Sequence, residues 1–399
     1  MKKILLLGGS AQQIVAIETA KRLGYYTILC DYLTDNPGQK YADKFYLVST
    51  TDKEAILKVA MQEEIDGILA YASDPAAPTA AFVAEKLGLP GNPYSSVDIL
   101  CNKDKFRDFL KNNGFCTPKA KGYSDIEEAL IDISNGYFQM PVIVKPVDSS
   151  GSKGANVVKK IDNVRETINR AFEFSRCGRI IVEEFIEKNH DYLIGGDIFV
   201  VDGKITMWGL MNCHRDKNVN PLVPVGKSYP LALNKKQEEK ARCELQHLIN
   251  VLEISGGAVN VELIIDKNND IYFIDIGPRS GGNMIPDLLG MIFCVDIVEM
   301  CIKTAMGESV NYTIEKKDVY FATHNLHSNK NGFFRDIKIS PQIENYIVKK
   351  YIYKNIGEKV EFFQDASKVV GIVFLKFGSM EQMLYMMDNS ESWIKIVVE

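Results

Sequence analysis

Features that mark secreted, membrane-bound or zinc-binding proteins are missing from this sequence. Its eight cysteines form no Cys-x-x-Cys pair and have no histidine at metal-ligand spacing, which argues against a zinc site and a disulfide framework. No apolar run approaches the ~20 residues that a membrane span needs. The apolar run near Met1 is too short for the core of a secretory signal. We therefore expect a cytoplasmic protein with reduced thiols and no membrane partner.

A large excess of charge is missing as well. The 47 Lys and Arg residues nearly balance 52 Asp and Glu residues, for a formal net charge of -5. Nothing in this balance indicates a polyanion as the main partner, so nucleic acid is not expected to bind. With 399 residues and 46% hydrophobic content, the chain can form two or three domains, and small molecules are the expected ligands.

Strands alternate with helices at the start of the chain, which predicts a parallel, doubly wound α/β sheet. The predicted strands are Lys3–Gly9, Tyr26–Cys30, Phe45–Val48 and Gly67–Tyr71, and the predicted helices are Gln12–Leu23 and Lys53–Gln62. The segment 88–93 is rich in glycine and proline and marks the first domain boundary.

The glycine turn after the first strand, Gly8-Gly9-Ser10, lies where a dinucleotide-binding fold would hold a pyrophosphate. Its spacing departs from Gly-x-Gly-x-x-Gly, and an acid such as Asp31 is common at this place in any doubly wound sheet. A tight strand-to-helix turn without a dinucleotide is therefore favoured. An NAD-dependent oxidoreductase is the less favoured alternative.

A loop rich in glycine and serine in the middle of the chain is a candidate phosphate site. It follows a Val-Ile-Val strand that ends in Lys145 and precedes the return strand Val157-Val158, whereas a P-loop precedes a helix. Successive backbone N–H groups of such a loop can surround the β- and γ-phosphates. The loop residues with this predicted role are Ser150, Gly151, Ser152, Lys153 and Gly154. An ordinary hairpin tip is the alternative.

Two acidic residues on later strands form a candidate site for a hard cation. Glu262 lies in the predicted strand Ala258–Ile265 and Asp275 in the predicted strand Ile271–Ile276, so paired strands would point both carboxylates to one side. Magnesium typically takes one or two carboxylates together with substrate phosphates. Arg279 would then stabilise negative charge that develops during a reaction. A carboxylate and arginine network inside the sheet is the alternative.

Other residues are candidates for binding a substrate. The segment 212–217 is predicted to be a loop over the mouth of the site, where Arg215 would bind a substrate carboxylate through two hydrogen bonds. His214 would accept a proton from an incoming amine, with a structural histidine as the alternative. Backbone donors near the reacting centre are predicted at Gly281, Gly282 and Asn283.

Three segments together resemble the signatures of the ATP-grasp superfamily. They are Val142–Pro146 with the glycine loop, residues 180–186 and residues 275–282. The resemblance extends over residues 1–310 and points to the amino-acid ligase and carbamoyl-phosphate-synthase-like branch. It implies a mixed α/β and α+β fold, with a Rossmann-like pre-ATP-grasp domain, a two-lobed ATP-grasp fold and a small β-rich carboxy-terminal segment. The implied boundaries are 1–97, 98–187 with the mobile lid lobe, 188–310 with the catalytic lobe, and 311–399.

The resemblance also implies a nucleotide site. Lys103 and Lys145 would contact the nucleotide phosphates, and Asp191 would hold the ribose where the family usually has glutamate. Glu262 and Asp275 would bind Mg²⁺. The hinge whose backbone reads the adenine edge would consist of Glu183, Glu184, Phe185 and Ile186.

One position departs from the family pattern. Gly277 stands where the family usually has a metal-binding asparagine. The missing oxygen would come from Asn260 or Asn283, or else Glu262, Asp275 and phosphate would hold the second magnesium ion.

The implied reaction uses ATP and Mg²⁺. A substrate carboxylate attacks the γ-phosphate to give an acyl phosphate and ADP, with Lys145 among the groups that neutralise charge. An amine then displaces phosphate and a carbon–nitrogen bond forms, with Arg279 stabilising the tetrahedral intermediate. An ATP-binding regulatory module of the same fold, without ligation, is an alternative motivated by Gly277. Members of this family are often dimers, so a homodimer is also considered.

Overall fold

The computed structural model describes residues 1–314 and 318–399. Within these residues, none of the helices has the length and apolar character needed to cross a membrane. No disulfide joins the eight cysteines within these residues.

The strands and helices follow one another along the whole chain. The strands are β1 (Lys3–Leu7), β2 (Tyr26–Asp31), β3 (Lys44–Leu47), β4 (Gly67–Leu69), β5 (Ala120–Tyr123), β6 (Val142–Pro146), β7 (Asn156–Val158), β8 (Ile180–Glu184), β9 (Leu193–Val201), β10 (Lys204–His214), β11 (Gly226–Tyr229), β12 (Gly256–Ile265), β13 (Ile271–Gly277), β14 (Tyr320–Leu326), β15 (Gly332–Ile339), β16 (Ile347–Ile352), β17 (Lys359–Val360), β18 (Gly371–Phe377) and β19 (Ile394–Val398). The helices are α1 (Ile14–Arg22), α2 (Lys53–Glu63), α3 (Ala77–Leu87), α4 (Tyr94–Leu100), α5 (Lys103–Asn112), α6 (Ile126–Ser134), α7 (Val164–Glu173), α8 (Lys235–Val251), α9 (Ile285–Phe293), α10 (Ile297–Ala305), α11 (Pro341–Glu344), α12 (Met380–Asp388) and α13 (Ser390–Trp393).

The first sheet is parallel and has the strand order β3-β2-β1-β4. Alternate residues of β1 point to opposite faces. Leu5 and Leu7 pack with α2 and α3, whereas Ile4 and Leu6 pack with α1 and α10. Both faces of the strand are therefore buried, as its continuous apolar sequence requires. The predicted doubly wound sheet is confirmed.

The second sheet is antiparallel, with the order β5-β8-β6-β7. One face, which includes Val142, Val144 and Val182, is covered by α6 and α7. The alternate residues Lys145 and Glu183 lie on the other face. The glycine loop connects β6 to β7, as predicted from the return strand.

The third sheet has eight strands in the order β13-β12-β9-β10-β11-β14-β18-β16. Three of its strands, β14, β16 and β18, come from the carboxy-terminal segment predicted to be separate after residue 310. They join because the open edge of β11 pairs with β14 from Gly226 to Tyr229. A smaller sheet, β17-β15-β19, completes this segment. The overall architecture is the predicted mixture of α/β and α+β units.

Two boundaries between elements position site residues. Strand β10 continues to His214, into the segment 212–217 that was predicted to be a loop, because β10 pairs with β9 on one side and β11 on the other. Helices α4 and α5 are separated at Asn102, whose backbone is extended. The interruption places Lys103 at the first turn of α5.

Candidate active site

A buried arginine of α5 joins the second and third sheets. Arg107 donates from Nε to Glu183 Oε2 at 2.7 Å, and from its two terminal nitrogens to the carbonyls of Phe273 and Ile274 at 3.1 and 2.8 Å. β13 is an edge strand, so these carbonyls face away from a neighbouring strand and need another donor. Arg107 was not singled out in the sequence. Arg107 lies four residues after Lys103, so both side chains are on one face of the helix. This spacing is the sequence signal that could have identified Arg107 as a site residue.

Glu183 also pairs with Lys145, which gives a buried ion cluster of Arg107, Lys145 and Glu183. Burial alone would raise the pKa of Glu183, but the two cations outweigh it and lower the pKa to about 2. Burial lowers the pKa of Lys145, and repulsion by Arg107 and Lys103 adds to this effect against the attraction of Glu183. The single carboxylate is thus shared by two cations, so its charge is well compensated while each cation is only partly compensated.

Glu262 and Asp275 face each other across β12 and β13, and we call them the open acid pair. Lys103 Nζ lies 3.6 Å from Asp275 Oδ2 and donates to the Ser149 carbonyl at 2.7 Å. Within residues 1–314 and 318–399, Glu262 has no hydrogen-bond or ion-pair partner for its carboxylate. The Asp275 side chain is 39% exposed. The structure therefore brings Lys103, the glycine loop and the open acid pair to one cleft, next to the buried ion cluster.

The donor set of the open acid pair fits magnesium. Two carboxylates on adjacent strands provide hard oxygen ligands and leave positions for phosphate oxygens and water. No group of three or more His, Cys, Asp or Glu side chains suited to a metal occurs in the part of the chain that the structure describes. Such a site would therefore need ligands from the substrate phosphates in addition to Glu262 and Asp275.

Arg279 lies beside the open acid pair and forms an ion pair with Asp74, which follows β4 of the first sheet. It also donates to the Ser280 carbonyl at 3.0 Å. Its Nε is buried and has no hydrogen-bond partner in the described residues. A buried donor without a partner is costly, so this N–H is available to an oxygen of a ligand. Asp74 was missed in the sequence, although acids after the carboxyl end of a parallel strand are frequent site residues.

The same ion pair explains the glycine at position 277. A Cβ atom on Gly277 would lie 2.7 Å from Asp74 Oδ1 and 3.2 Å from Arg279 Cζ. The space of the expected asparagine side chain is thus filled by the ion pair. Asn260 pairs with Gly277 across the strands, and its amide nitrogen donates to Asp197 at 2.7 Å. This bond turns the Asn260 amide oxygen away from Asp197.

Asp197 is a buried acid that the sequence analysis missed. It lies on β9, is 0% exposed and accepts from the Gly281 N–H at 2.7 Å as well as from Asn260. Burial raises its pKa, and these hydrogen bonds oppose the shift. The sequence signal that could have identified Asp197 is its position in an otherwise apolar strand. Asp197 holds the segment that starts at Gly281 against the sheet.

The glycine loop meets two other parts of the cleft. Ser152 Oγ donates to the Leu222 carbonyl at 3.2 Å, and the Ala366 N–H donates to the Gly151 carbonyl at 3.3 Å. Lys153 is exposed, and its ammonium has no partner among the residues described. The loop therefore presents a free cation and touches the carboxy-terminal segment. The predicted roles of Ser150 and Gly154 in phosphate binding stay predictions.

The predicted hinge follows the buried ion cluster directly. The Phe185 N–H donates to the Pro141 carbonyl at 3.1 Å, and Gln139 N–H donates to Glu184 Oε1 at 2.8 Å. The Ile186 N–H donates to no residue of the described chain, so it is available to an adenine edge. The Glu183 side chain serves the ion cluster, which leaves only its backbone for a hinge. Asp191 is exposed between β8 and β9.

The predicted substrate residues separate into two groups. Arg215 lies two residues after Cys213. The sulfur of Cys213 lies on the face of the sheet to which a side chain at Gly195 would point, and Glu262, directly opposite Gly195, points to the same face. The Arg215 guanidinium donates to the Leu222 carbonyl at 2.7 Å, beside the glycine loop. Gly281, Gly282 and Asn283 follow Arg279, and the Asn283 N–H donates to Gln12 Oε1 at 3.0 Å.

The prediction for His214 does not fit its position. Because β10 extends to this residue, His214 points to the opposite face of the sheet from Cys213. It is 2% exposed, and its ring nitrogens lie 2.9 Å from Asp388 Oδ1 and 2.8 Å from Ser228 Oγ. His214 is a structural residue that joins the sheet to α12.

The glycine turn of the first sheet is occupied by the chain itself. A Cβ atom on Gly9 would lie 2.1 Å from Asn36 Oδ1. The Asp31 carboxylate accepts from the Gly9 N–H at 2.7 Å and from the Leu33 N–H at 2.9 Å. These contacts favour the tight turn over a dinucleotide site.

Most of the residues of this cleft lie in a segment that matches a known protein family. The model of the family "Carbamoyl-phosphate synthase L chain, ATP binding domain" matches residues 102–313. A formate-dependent phosphoribosylglycinamide formyltransferase from Prochlorococcus marinus (strain NATL2A) is 33% identical over 281 residues, which are 70% of this chain and 70% of that protein.

Two solved structures share the fold. The L-amino acid ligase from Bacillus licheniformis has a TM-score of 0.81 at 19% identity, over 100% of this chain and 99% of that chain. The biotin carboxylase domain dimer of the Hydrogenobacter thermophilus 2-oxoglutarate carboxylase, in complex with MgADP, ADP and bicarbonate, has a TM-score of 0.74 at 18% identity, over 100% of this chain and 91% of that chain.

Proposed function

This chain belongs to the ATP-grasp ligases, in the family of the carbamoyl-phosphate synthase L chain ATP-binding domain, and from this premise we propose how its residues divide the reaction. It is an ADP-forming enzyme that uses ATP and Mg²⁺ to join a carboxylate to an amine.

The nucleotide lies between the second and third sheets in this proposal. The hinge at residues 183–186 binds the adenine edge through its backbone, and Asp191 binds the ribose. Lys103, Lys145 and the loop 149–154 bind the phosphates, with the exposed Lys153 free to approach them. Support comes from the Ile186 N–H, which is without a partner in the described residues, and from the position of Lys103 between loop and acids.

Glu262 and Asp275 would hold the magnesium ion. When bound, the ion neutralises phosphate charge and holds the transferring phosphoryl group for in-line attack. The chain itself supplies further positive charge through Lys103 and Lys145. The Asp74–Arg279 ion pair takes the space of the asparagine that the family usually has at position 277, so the glycine there does not argue for a regulatory module without activity.

The substrates react at the Arg279 end of the cleft. A carboxylate oxygen bonds to the γ-phosphorus while the bond to ADP breaks, which gives an acyl phosphate. The amine nitrogen then bonds to the acyl carbon, the carbon–oxygen bond to phosphate breaks, and the amine loses a proton. The Nε–H of Arg279 would donate to the oxyanion of the tetrahedral intermediate, and Arg215 would bind a carboxylate of the substrate.

One observation carries this proposal. Lys103 lies 3.6 Å from Asp275 and 2.7 Å from the Ser149 carbonyl, so a single side chain connects the candidate phosphate loop to the candidate metal site. A screen of small acids and amines for ADP release tests the proposal. We expect release that needs both substrates and falls about 10²-fold in Arg279→Ala. Unchanged turnover in this variant would refute the role of Arg279.

We further propose that the protein acts in the cytoplasm as a homodimer. Eight cysteines without a disulfide in the described residues support a reducing compartment. The biotin carboxylase domain of similar fold was solved as a dimer. Light scattering of the purified chain would give twice the mass of 44.8 kDa if this is correct, and the mass of one chain if it is wrong.

A further inference from the structure

A cavity of about 310 Å³ lies beside the Arg279 end of the cleft. Its walls come from four parts of the chain. Glu18 belongs to α1, Tyr71 follows β4, Asp287 lies in the first turn of α9, Tyr351 belongs to β16, and Tyr353 follows it. This volume is at the lower end of the range for small-molecule sites. It admits one compact organic molecule.

The cavity shares two walls with the reacting centre. Gly281 lines it and lies two residues after Arg279, while Ala72 lines it and lies two residues before Asp74. The Asp74–Arg279 ion pair, which fills the space beside Gly277, is thus two residues along the chain from each of these lining residues. A ligand in the cavity would lie close to the part of the chain that carries the Arg279 guanidinium, which faces the acyl group in the proposed function.

The charged lining of the cavity is acidic. Glu18 and Asp287 line it, and none of the described lining residues is Lys or Arg. Apart from its own backbone N–H, Asp287 has no hydrogen-bond or ion-pair partner for its carboxylate in residues 1–314 and 318–399. Burial raises the pKa of Asp287, and the more distant Lys349 opposes this shift. A partly buried, unpaired carboxylate favours a cationic ligand and disfavours a phosphate.

The remaining lining is aromatic and apolar. Tyr71 is 5% exposed, whereas Tyr353 is 37% exposed at the mouth. Tyrosine rings attract ammonium groups and cover apolar surface. Ile14, Val15 and Met284 contribute aliphatic surface. The lining therefore combines a site for an ammonium group with a site for an apolar or aromatic body.

We propose that this cavity binds the amine acceptor of the ligase, and that the acceptor is a compact primary amine with an apolar or aromatic body and no phosphate group. This inference rests on the proposed function. The proposed acceptor differs from that of the Prochlorococcus marinus relative, whose name describes formyl transfer to phosphoribosylglycinamide. The ammonium group lies near Asp287, and the body contacts Tyr351 and Tyr353.

Calorimetric titration of the MgADP-saturated protein tests the assignment without requiring turnover. The probes are phenethylamine, isoamylamine and O-phosphoethanolamine. We expect saturable binding of at least one of the two apolar amines, about tenfold tighter than that of O-phosphoethanolamine. Asp287→Asn should weaken amine binding about tenfold and Glu18→Gln about twofold, as expected for loss of a partly buried and an exposed charge. The exposed Glu173→Gln, on α7 of the second sheet, is the matched control and should bind as the wild type does.

The outcomes separate this inference from the proposed function. Glu262→Gln should lose ADP formation yet bind the amine normally, because its carboxylate lies outside the cavity lining. Failure of ADP formation in the wild type with every acid and amine would sink the proposed function. Preference for O-phosphoethanolamine, absence of binding by both apolar amines, or unchanged binding in both Asp287→Asn and Glu18→Gln would overturn the acceptor assignment. The exposed position of Glu18 on α1 keeps the test valid if Asp287→Asn does not fold.

Discussion

The buried ion cluster and the open acid pair are neighbours built from similar residue types, yet they differ in how their charges are compensated. In the cluster, Glu183 is 3% exposed and is shared by Arg107 and Lys145. In the pair, Asp275 has a 39% exposed side chain, and Lys103 Nζ lies 3.6 Å from its Oδ2. The carboxylate of the cluster is compensated by cations of the chain itself, whereas the two carboxylates of the pair are compensated less.

This difference predicts that the carboxylate of the cluster contributes mainly to stability and the carboxylates of the pair mainly to catalysis. Removing one member of a buried, compensated cluster leaves charge without a partner and destabilises the fold. Removing an acid from an open pair relieves repulsion between two carboxylates, so it costs little stability and removes a ligand for the metal. Substitutions at the two sites should therefore affect different measurements.

The largest effect is expected at the open acid pair. Glu262→Gln and Asp275→Asn should each lower the rate of ADP formation about 10³-fold, because each removes charge stabilisation of the transferred phosphoryl group. The melting temperature should not fall in either variant. Asp270→Asn, at the turn between the same two strands, is the control and should retain activity because its ion pair with Lys240 is exposed.

The buried ion cluster should show the reverse behaviour. Glu183→Gln should lower the free energy of unfolding by at least about 3 kcal/mol, because two buried cations lose their carboxylate. Urea unfolding followed by circular dichroism measures this change. Glu184→Gln keeps an acceptor for the Gln139 N–H and should cost less than about 1 kcal/mol. Equal stability of the two variants would contradict the assigned role of the cluster.

Acid should reduce the difference in the free energy of unfolding between the wild type and Glu183→Gln. The folded-state pKa of Glu183 is about 2, below its ordinary value of 4.5. A lowered pKa means that the stabilisation is fully present above pH 4.5 and is lost as the pH falls towards 2. The difference in unfolding free energy should therefore be constant from pH 7 to pH 5.5 and smaller at pH 3.5. A difference in unfolding free energy that grows on acidification would contradict the lowered pKa of Glu183.

The contrast also explains which residues the sequence could predict. Lys145, Glu262 and Asp275 interrupt apolar strands, and alternation along a strand fixes the face of each side chain. Arg107 and Asp74 lie in a helix and a loop, and their roles depend on contacts between sheets distant in sequence. The sequence pattern indicates neither contact.

The different position of His214 has a related cause. Polar residues at 212–217 indicated a loop, but pairing on both sides carries β10 through the first three of them. A shift from loop to strand decides which face a side chain occupies. The fold class was predictable because alternation of strands and helices is a local pattern, whereas the continuation of the third sheet beyond residue 310 depends on pairing of distant strands.

A smaller effect is expected when a side chain is added at Gly277. Gly277→Asn would displace the Asp74–Arg279 ion pair, since its Cβ would lie 2.7 Å from Asp74 Oδ1. We expect about a tenfold loss of kcat/KM, the cost of a modest misplacement near the reacting centre. Adding Asp74→Ala to this variant should not restore the rate, because the ion pair that positions Arg279 is then absent.

The smallest effect is expected at the free cation of the glycine loop. Lys153→Ala should raise KM for ATP about threefold with kcat nearly unchanged, because an exposed ammonium contributes little to binding in water. Initial-rate kinetics at varied ATP would measure this. The exposed Lys159→Ala, just after β7, is the matched control.

Metal-dependent nucleotide binding tests the open acid pair most directly. Calorimetric titration of ADP would be compared with and without Mg²⁺ in the wild type and in the Glu262→Gln, Asp275→Asn double variant. Magnesium should tighten ADP binding about tenfold in the wild type and have no effect in the double variant, while metal-free ADP binds both proteins equally. An equal gain from magnesium in the two proteins would show that the metal is held elsewhere.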